Sequence, residues 1–350
     1  SVLFTSIFII LFVVCGGLFY FYSEVIVEQY IGYDFQVHFI DVGQGDSILI
    51  KFPNNETMLI DAGEEEEGKT VTNYTKRFLK EEGLERLNYV VMTHPDADHI
   101  GGLLSVLNEI EVDTVYRPKV YTQEEYNNLN TTENLMISTT NTYNQVLSLI
   151  KEKGCQEIFS ERGLNLNLGG CDLEFLSPEL NYYTSTNNIS AVIMLTYQTK
   201  KFLFTGDADS QIEQTLLSQY GEGLQADVLK VAHHGSNSSS SIEFLEVVSP
   251  EYSVLSVAQN KDLPSVTVLN RLNSIDSEIL TTSSNGSMAF TIENDEVIVA
   301  TIKNPSMDIA LLISIYVLLL IFTWGIKINK KENKRKIDII KYNTINNYDI

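Results

Sequence analysis

The chain is predicted to be an α/β protein in which two β-sheets lie face to face between helices, an αββα sandwich, with an apolar helix at either end. Three observations carry that expectation. Strand-like runs come in two blocks, each followed by helical segments, without the regular βαβ alternation of a doubly wound sheet. Four of the five histidines, His94, His99, His233 and His234, stand directly after strand-like apolar runs. Uncharged stretches long enough to cross a bilayer occur near both termini.

The composition sets limits first. With 350 residues and 44% hydrophobic side chains there is ample material for a core, which excludes disorder throughout. A formal charge of -22 argues against affinity for nucleic acid through a basic surface. Three cysteines without a Cys-x-x-Cys pair exclude a disulfide scaffold and a thiolate zinc site. Cys155 and Cys171 flank a strand pair and leave a disulfide open.

Residues 2–22 carry no charge and end in the aromatic cluster Phe19 to Tyr22, so residues 1–22 read as a transmembrane helix. A cleaved signal peptide is the alternative, although a basic leading segment is missing. The chain starts at Ser1 without a Met, which fits trimmed numbering or a fragment of a longer protein. A linker over 23–34 leads into a domain expected at 35–301. Residues 307–326 form a second span, followed by a basic tail at 327–350 holding seven of the 24 Lys and Arg residues. Positive-inside logic places that tail in the cytoplasm and the domain outside the cell, on the cell membrane.

Within the domain, short apolar runs predict strands at 35–41, 46–52 and 57–61, the last two joined as a hairpin by Pro53-Asn54-Asn55. A helix over 70–82, a buried strand over 88–92 and a helix from about Ile100 follow. Residues 121–145, rich in Asn and Thr, suit a surface insertion or lid. Strands are expected at 156–160, 164–168, 171–176, 190–197 and 201–205. Asp209 or Ser210 caps a helix that Gly221 stops. A strand at 227–232, a helix at 241–248, a strand at 252–256, a helix at 266–273 and two strands within 287–301 complete the order.

The chemistry concentrates in Thr93-His94-Pro95-Asp96-Ala97-Asp98-His99, two imidazoles and two carboxylates between a strand and a helix. Such a loop can aim alternate side chains at one point, and imidazole nitrogen with carboxylate oxygen is a donor set for a zinc-like cation. Asp207 and the pair His233-His234 follow two further buried strands, so three strand ends bear potential ligands. His38, inside a strand, reads as a packing residue. In Asp41-Val42-Gly43-Gln44-Gly45-Asp46-Ser47 a turn-forming role competes with a substrate-facing one for Asp41 or Gln44. The serine-rich run from Ser236 reads equally as a helix-capping loop or as donors to phosphoryl oxygens.

HPDADH resembles the His-x-His-x-Asp-His loop of the metallo-β-lactamase fold superfamily, with Asp96 in the second position. Together with DVGQGDS at 41–47, LIDAG at 59–63, FTGDAD at 204–209 and LKVAHHGSNSS at 229–239, it is similar to the extracytoplasmic domain of ComEC-type DNA-uptake proteins. The resemblance implies His94 and Asp96 on one divalent metal ion, Asp98 and His99 on a second, and Asp207 bridging both. It implies His234 as the last ligand, His233 meeting the substrate's oxygen, and Asp61 bracing the loop by hydrogen bonding. The reverse roles for His233 and His234 stay open. A further family histidine has no counterpart, and Asn188 stands where it would fall. A family Asn-x-Tyr-Gly-His-Pro element is reduced to Asn260-Lys261-Asp262-Leu263-Pro264. The implied activity is hydrolysis, by a hydroxide that two Zn or Mn ions activate, of a phosphodiester held near Asn188, Ser236 and Asp41, with His233 and Asp98 as catalytic groups. Three settings follow: an envelope phosphoesterase or nuclease, a DNA-uptake component that degrades one strand beside a separate channel protein, and a binding module with a degenerate site.

Overall fold

The computed structural model describes residues 32–301, apart from 130, 180–181 and 260–261, together with short helical stretches between 321 and 335. Residues Tyr30–Lys303 make one compact unit; the second comprises Ser1–Gln29 with Asn304–Ile350. The span expected at 1–22 lies outside the described residues, as does that at 307–326 except for residue 321 and residues 324–326. Among the described residues no helix is long and apolar enough to cross a membrane.

The first half of the larger unit supplies β1 (Gln36–Phe39), β2 (Ile48–Lys51), β3 (Thr57–Ile60), α1 (Gly68–Glu81), β4 (Leu87–Val91), α2 (Ala97–Ile100), α3 (Leu103–Glu109), β5 (Val112–Arg117), β6 (Val120–Tyr121), α4 (Gln123–Leu129), β7 (Met136–Ile137), α5 (Asn141–Lys153) and β8 (Gln156–Phe159). The second half supplies β9 (Asn165–Leu168), β10 (Cys171–Ser177), β11 (Val192–Tyr197), β12 (Lys200–Phe204), α6 (Ser210–Tyr220), β13 (Val228–Lys230), α7 (Ile242–Val248), β14 (Tyr252–Leu255), α8 (Val266–Ser274), β15 (Glu278–Thr281), α9 (Thr282–Asn285), β16 (Met288–Glu293) and β17 (Glu296–Thr301).

One sheet has the order β17-β16-β1-β2-β3-β4-β5-β8 and the other β15-β14-β13-β12-β11-β10-β9. Period-2 alternation explains why two sheets stack. Ile48, Ile50, Met58 and Ile60 of the first sheet and Phe202 and Phe204 of the second share one apolar cluster with Phe39, Phe175 and Phe290. The alternate residues Leu49, Leu59 and Leu203 belong to the cluster that includes Phe78 of α1, Val106 of α3 and Phe244 of α7. Each sheet is therefore apolar on both faces, the requirement for a four-layer sandwich.

Two assignments differ from the sequence reading. The strands expected as a pair at 156–160 and 164–168 part company: β8 is the edge of the first sheet, whereas β9 is the edge of the second. Cys155 and Cys171 accordingly remain free thiols, and the disulfide left open by sequence is not formed. The insertion at 121–145 is built of short regular elements, and its Met136 and Tyr143 are buried because they join the apolar cluster under α5.

Strands β3, β4, β12 and β13 are paired in parallel as β3 with β4 and β12 with β13, so the loops after them leave at matching strand ends. Close backbone contacts lock those loops together. Gly45 lies against the Asp98 carbonyl, and a Cβ at Gly102 would collide with the Ala62 carbonyl oxygen. Gly102→Ala is expected to lower unfolding free energy by ~1–3 kcal/mol, measurable as a reduced urea midpoint at constant slope.

His38 is buried between β1 neighbours and α1, with Nδ1 2.9 Å from the Tyr74 hydroxyl and Nε2 3.0 Å from Gln36 Oε1. Burial lowers its pKa from 6.5 to about 4, against an opposing pull from Glu82. The unfolded chain protonates His38 below pH 6.5 while the native state resists until about pH 4, so stability falls as pH falls through that window. His38→Gln should flatten this part of the urea-midpoint profile, and an unchanged slope would assign it to other groups.

Candidate metal centre

Four loops meet at one end of the sandwich. The HPDADH loop follows β4, the GDAD turn follows β12, the HHGS turn follows β13, and Asp61 follows β3. A fifth segment, the β1–β2 connection, slips beneath them, with Asp46 N 3.3 Å from the Asp98 carbonyl and the Asp46 carbonyl accepting from Gly63 N at 2.9 Å.

Asp98, His99, Asp207 and His234 each offer a ligand atom within 4.8 Å of the others. His99 Nε2 is 3.2 Å from Asp207 Oδ1, and His234 Nε2 is 3.4 Å from Asp98 Oδ2 and 3.7 Å from Asp207 Oδ2. His94 stacks beside this group, its ring centroid 4.1 Å from that of His99. Its Nε2 lies 3.8 Å from Asp96 Oδ2, which accepts from Thr186 Oγ1 at 3.2 Å.

The far side of each ring is held. Asp61 Oδ2 is 2.7 Å from His99 Nδ1 and also accepts from Thr93 Oγ1 at 2.5 Å, while its Oδ1 accepts from Thr93 N at 2.9 Å. Thr93 Oγ1 is 3.0 Å from His94 Nδ1, and the Ser256 carbonyl is 2.9 Å from His234 Nδ1. These contacts turn every Nε2 inward.

The inward atoms have nothing to bond. Nε2 of His94, His99 and His234 and Oδ1 of Asp207 are buried without a hydrogen-bond partner. Buried polar atoms are nearly always paired in native proteins. Three imidazole nitrogens and a carboxylate oxygen left unpaired and convergent fit a divalent cation.

The electrostatics set the rings apart. Burial, reinforced by neighbouring His99, lowers the His94 pKa to about 3, leaving a neutral ring with a lone pair to offer. His99 is pushed the other way: burial opposes its charge, but Asp207 and Asp61 raise its pKa well above 6.5. Asp98 falls to about 2 although burial alone would raise it, because the neighbouring His234 and His99 rings favour its charged form. Asp207 is held well below 3.8 despite burial, chiefly by His99 and His234.

His233 and His234 are separated by backbone conformation. Both are left-handed, at φ 50° and 52°, and Gly235 continues at 77°. Non-glycine residues in this region store of order 1–3 kcal/mol each. The two rings stand 6.3 Å apart at an interplanar angle of 73°, with His234 buried and His233 30% exposed. His233 Nε2 stands 3.8 Å from Asp207 Oδ2, and its Nδ1 is 3.2 Å from Ser238 Oγ.

Not every expected residue joins. Asn188 is buried and turned away: its Nδ2 donates to Asp209 Oδ2 at 2.8 Å and its Oδ1 accepts from Asp209 N at 3.2 Å. Asp209 in turn caps α6 by accepting from Gln211 N, so Asn188 braces that loop. Its neighbour Asn187 faces His233, with Nδ2 3.4 Å from Nδ1. Asp41 accepts from Gly43 N at 3.3 Å within its own turn, and Ser236 Oγ meets Ser238 Oγ at 3.0 Å. Residues 260–261 of the reduced motif lie outside the described residues, while Pro264 packs against Gly235. Sequence reasoning read Asp46 as a turn former, yet its Oδ1 is 3.6 Å from His234 Nδ1. The pair of glycines before it was the only signal of that close approach.

A metal-binding αββα sandwich with ligands at the ends of parallel strands is the class that fold and site define. The chain belongs to the metallo-β-lactamase superfamily, whose family model matches residues 40–259. It is 28% identical over 274 residues to ComE operon protein 3 of Bacillus subtilis, covering 74% of this chain and 33% of that protein. It is 30% identical over 254 residues to Competence protein ComA of Neisseria gonorrhoeae, covering 71% and 31%. The chain thus spans about a third of the length of these curated relatives. The metallo-β-lactamase fold protein YhfI from Bacillus subtilis is similar at 11% identity and a TM-score of 0.43, covering 72% of this chain and 98% of that one.

Asp61→Asn should lower affinity for a divalent cation by roughly 10–100-fold, read by competition with a chromogenic chelator. Saturating the wild type at about 100 times the dissociation constant should add about 2.7 kcal/mol of stability, seen as a rise in Tm that EDTA reverses.

Proposed function

We propose that this chain is a metal-dependent hydrolase of phosphodiesters that uses two divalent cations, Zn or Mn. The observation that carries the reading is the convergence of unpaired His94, His99 and His234 Nε2 atoms and Asp207 Oδ1 in a buried cleft. His94 with Asp96 would hold one cation, Asp98, His99 and His234 the other, with Asp207 between them. When bound, the cations supply Lewis-acid charge that activates water and neutralises phosphoryl oxygens.

The rest falls to the chain's own side chains. His233, half-buried at the cleft with Ser238 on Nδ1, is placed to hydrogen-bond or protonate the leaving oxygen. Asn187 restrains the same ring from the other side. Ser236 and Ser238 line the adjacent turn and can donate to phosphoryl oxygens. Asp61, with Thr93, keeps His99 aimed.

The uncharged stretches at 2–22 and 309–326 would anchor the domain outside the cell membrane, with the basic tail in the cytoplasm. DNA is the second substrate reading. It is favoured by relatives named Competence protein ComA, ComE operon protein 3 and Recombination protein 2, and it is opposed by a formal charge of -22. Dications in the cleft would hold a phosphate locally where the surface repels one. In that setting a separate channel protein would supply the pore.

Hydrolysis of bis(p-nitrophenyl) phosphate should require added Zn or Mn and fall at least ~1,000-fold in Asp207→Ala and His99→Ala. His233→Ala should lower kcat by about 100-fold with metal content unchanged. Turnover of choline or lipid phosphodiesters over single-stranded DNA identifies an envelope phosphoesterase, and the opposite preference a DNA-processing role. A purified wild type that retains no metal and cleaves none of these would leave a binding module.

A further inference from the structure

A second cluster of potential ligands lies directly beneath the metal centre: Asp46, Asp61 and His99, with ligand atoms within 4.8 Å of one another. It is not a further cation site, because its charges already have partners. Lys230 Nζ is 2.5 Å from Asp46 Oδ2, and Asp61 is engaged by Thr93 and His99. Lys230 is the last residue of β13, only 1% exposed, and its ammonium also donates to the Val231 carbonyl at 3.0 Å. Asp46 is 2% exposed. Lysine is almost never buried this deeply, and the desolvation of such a pair commonly outweighs its attraction, so net stability is a weak reason for its presence.

Its placement suggests another reason. Asp46 belongs to the β1–β2 connection of the first sheet, whereas Lys230 ends a strand of the second and precedes His234 by four residues. The pair joins the two sheets beneath the ligands. Above it, Asp46 Oδ1 lies 3.6 Å from His234 Nδ1 and Oδ2 lies 3.9 Å from His99 Nδ1. The first ring is carried by one sheet and the second by the other, with centroids 5.3 Å apart.

We propose that Lys230 is a positioning residue for the metal centre: paired with Asp46, it sets the spacing between His99 and His234. The inference rests on the metal reading above. It is tested on the full chain with Lys230→Gln/Asp46→Asn, which keeps a hydrogen-bonded neutral pair, and with Lys230→Met/Asp46→Leu, which fills the space with apolar atoms. Zn and Mn binding is titrated against a chromogenic chelator, with apo circular dichroism and Tm measured alongside. The expected result is near-wild-type apo spectra and Tm in at least one variant, with a 10–100-fold loss of affinity for at least one metal equivalent. A folded variant that binds both equivalents as tightly as wild type overturns the proposal, and so does failure of both variants to fold, which would make the pair a determinant of folding. Absence of metal binding by the wild type would instead overturn the underlying metal reading.

Discussion

Buried donors that lack a partner are the constraint on which the rest of the structure turns. A neutral imidazole presents one lone pair, and the contacts from Asp61, Thr93 and the Ser256 carbonyl fix which nitrogen that is. Holding three imidazoles and a carboxylate so close together in one buried cluster is unfavourable unless a cation joins them. The fold therefore has to supply rigidity at that point, and it does so with strand ends and backbone-to-backbone contacts. Gly45 against Asp98 and Gly102 against Ala62 leave no slack between the three loops of the first sheet.

The second sheet meets the first through the same economy. Its contributions, Asp207 and His234, follow adjacent parallel strands whose register pairs Phe204 with Lys230. The turn after Phe204 and the turn after Lys230 are therefore side by side. Ser190 couples them to the other half: its hydroxyl accepts from Asp207 N at 3.1 Å and is 3.4 Å from His94 Nδ1. Glu213, buried in α6, accepts from Ser240 N and Ser241 N and pins the far end of the serine turn. The cleft thus owes its shape to hydrogen bonds between segments distant in sequence.

That dependence separates what was legible from what was not. The gathering of His94, Asp98, His99, Asp207 and His234 is visible in the sequence because few such residue types follow its strands. The sandwich is visible because both sheets alternate. Sheet membership is another matter. Nothing local distinguishes β8, which joins the first sheet, from β9, which joins the second, nor sends β16 and β17 back beside β1. Those choices are made by long-range pairing. Asp46 and Lys230 were missed for the same reason, since an ion pair between residues 184 positions apart leaves no spacing pattern. The bonds of Asn188 to Asp209 are illegible too, because position along the chain says where a residue falls, not which way a loop turns it.

The left-handed run at His233, His234 and Gly235 reaches beyond catalysis. Because backbone torsion separates the two rings, the socket at residue 234 is defined before any side chain fills it. Replacement there is filtered by conformation as much as by chemistry: Asn and Asp tolerate the left-handed region, while Val, Ile and Thr do not. The set of metals this scaffold can be redesigned to hold is thereby narrowed toward those content with oxygen or imidazole donors. The turn acts as a gate on evolutionary drift of the site.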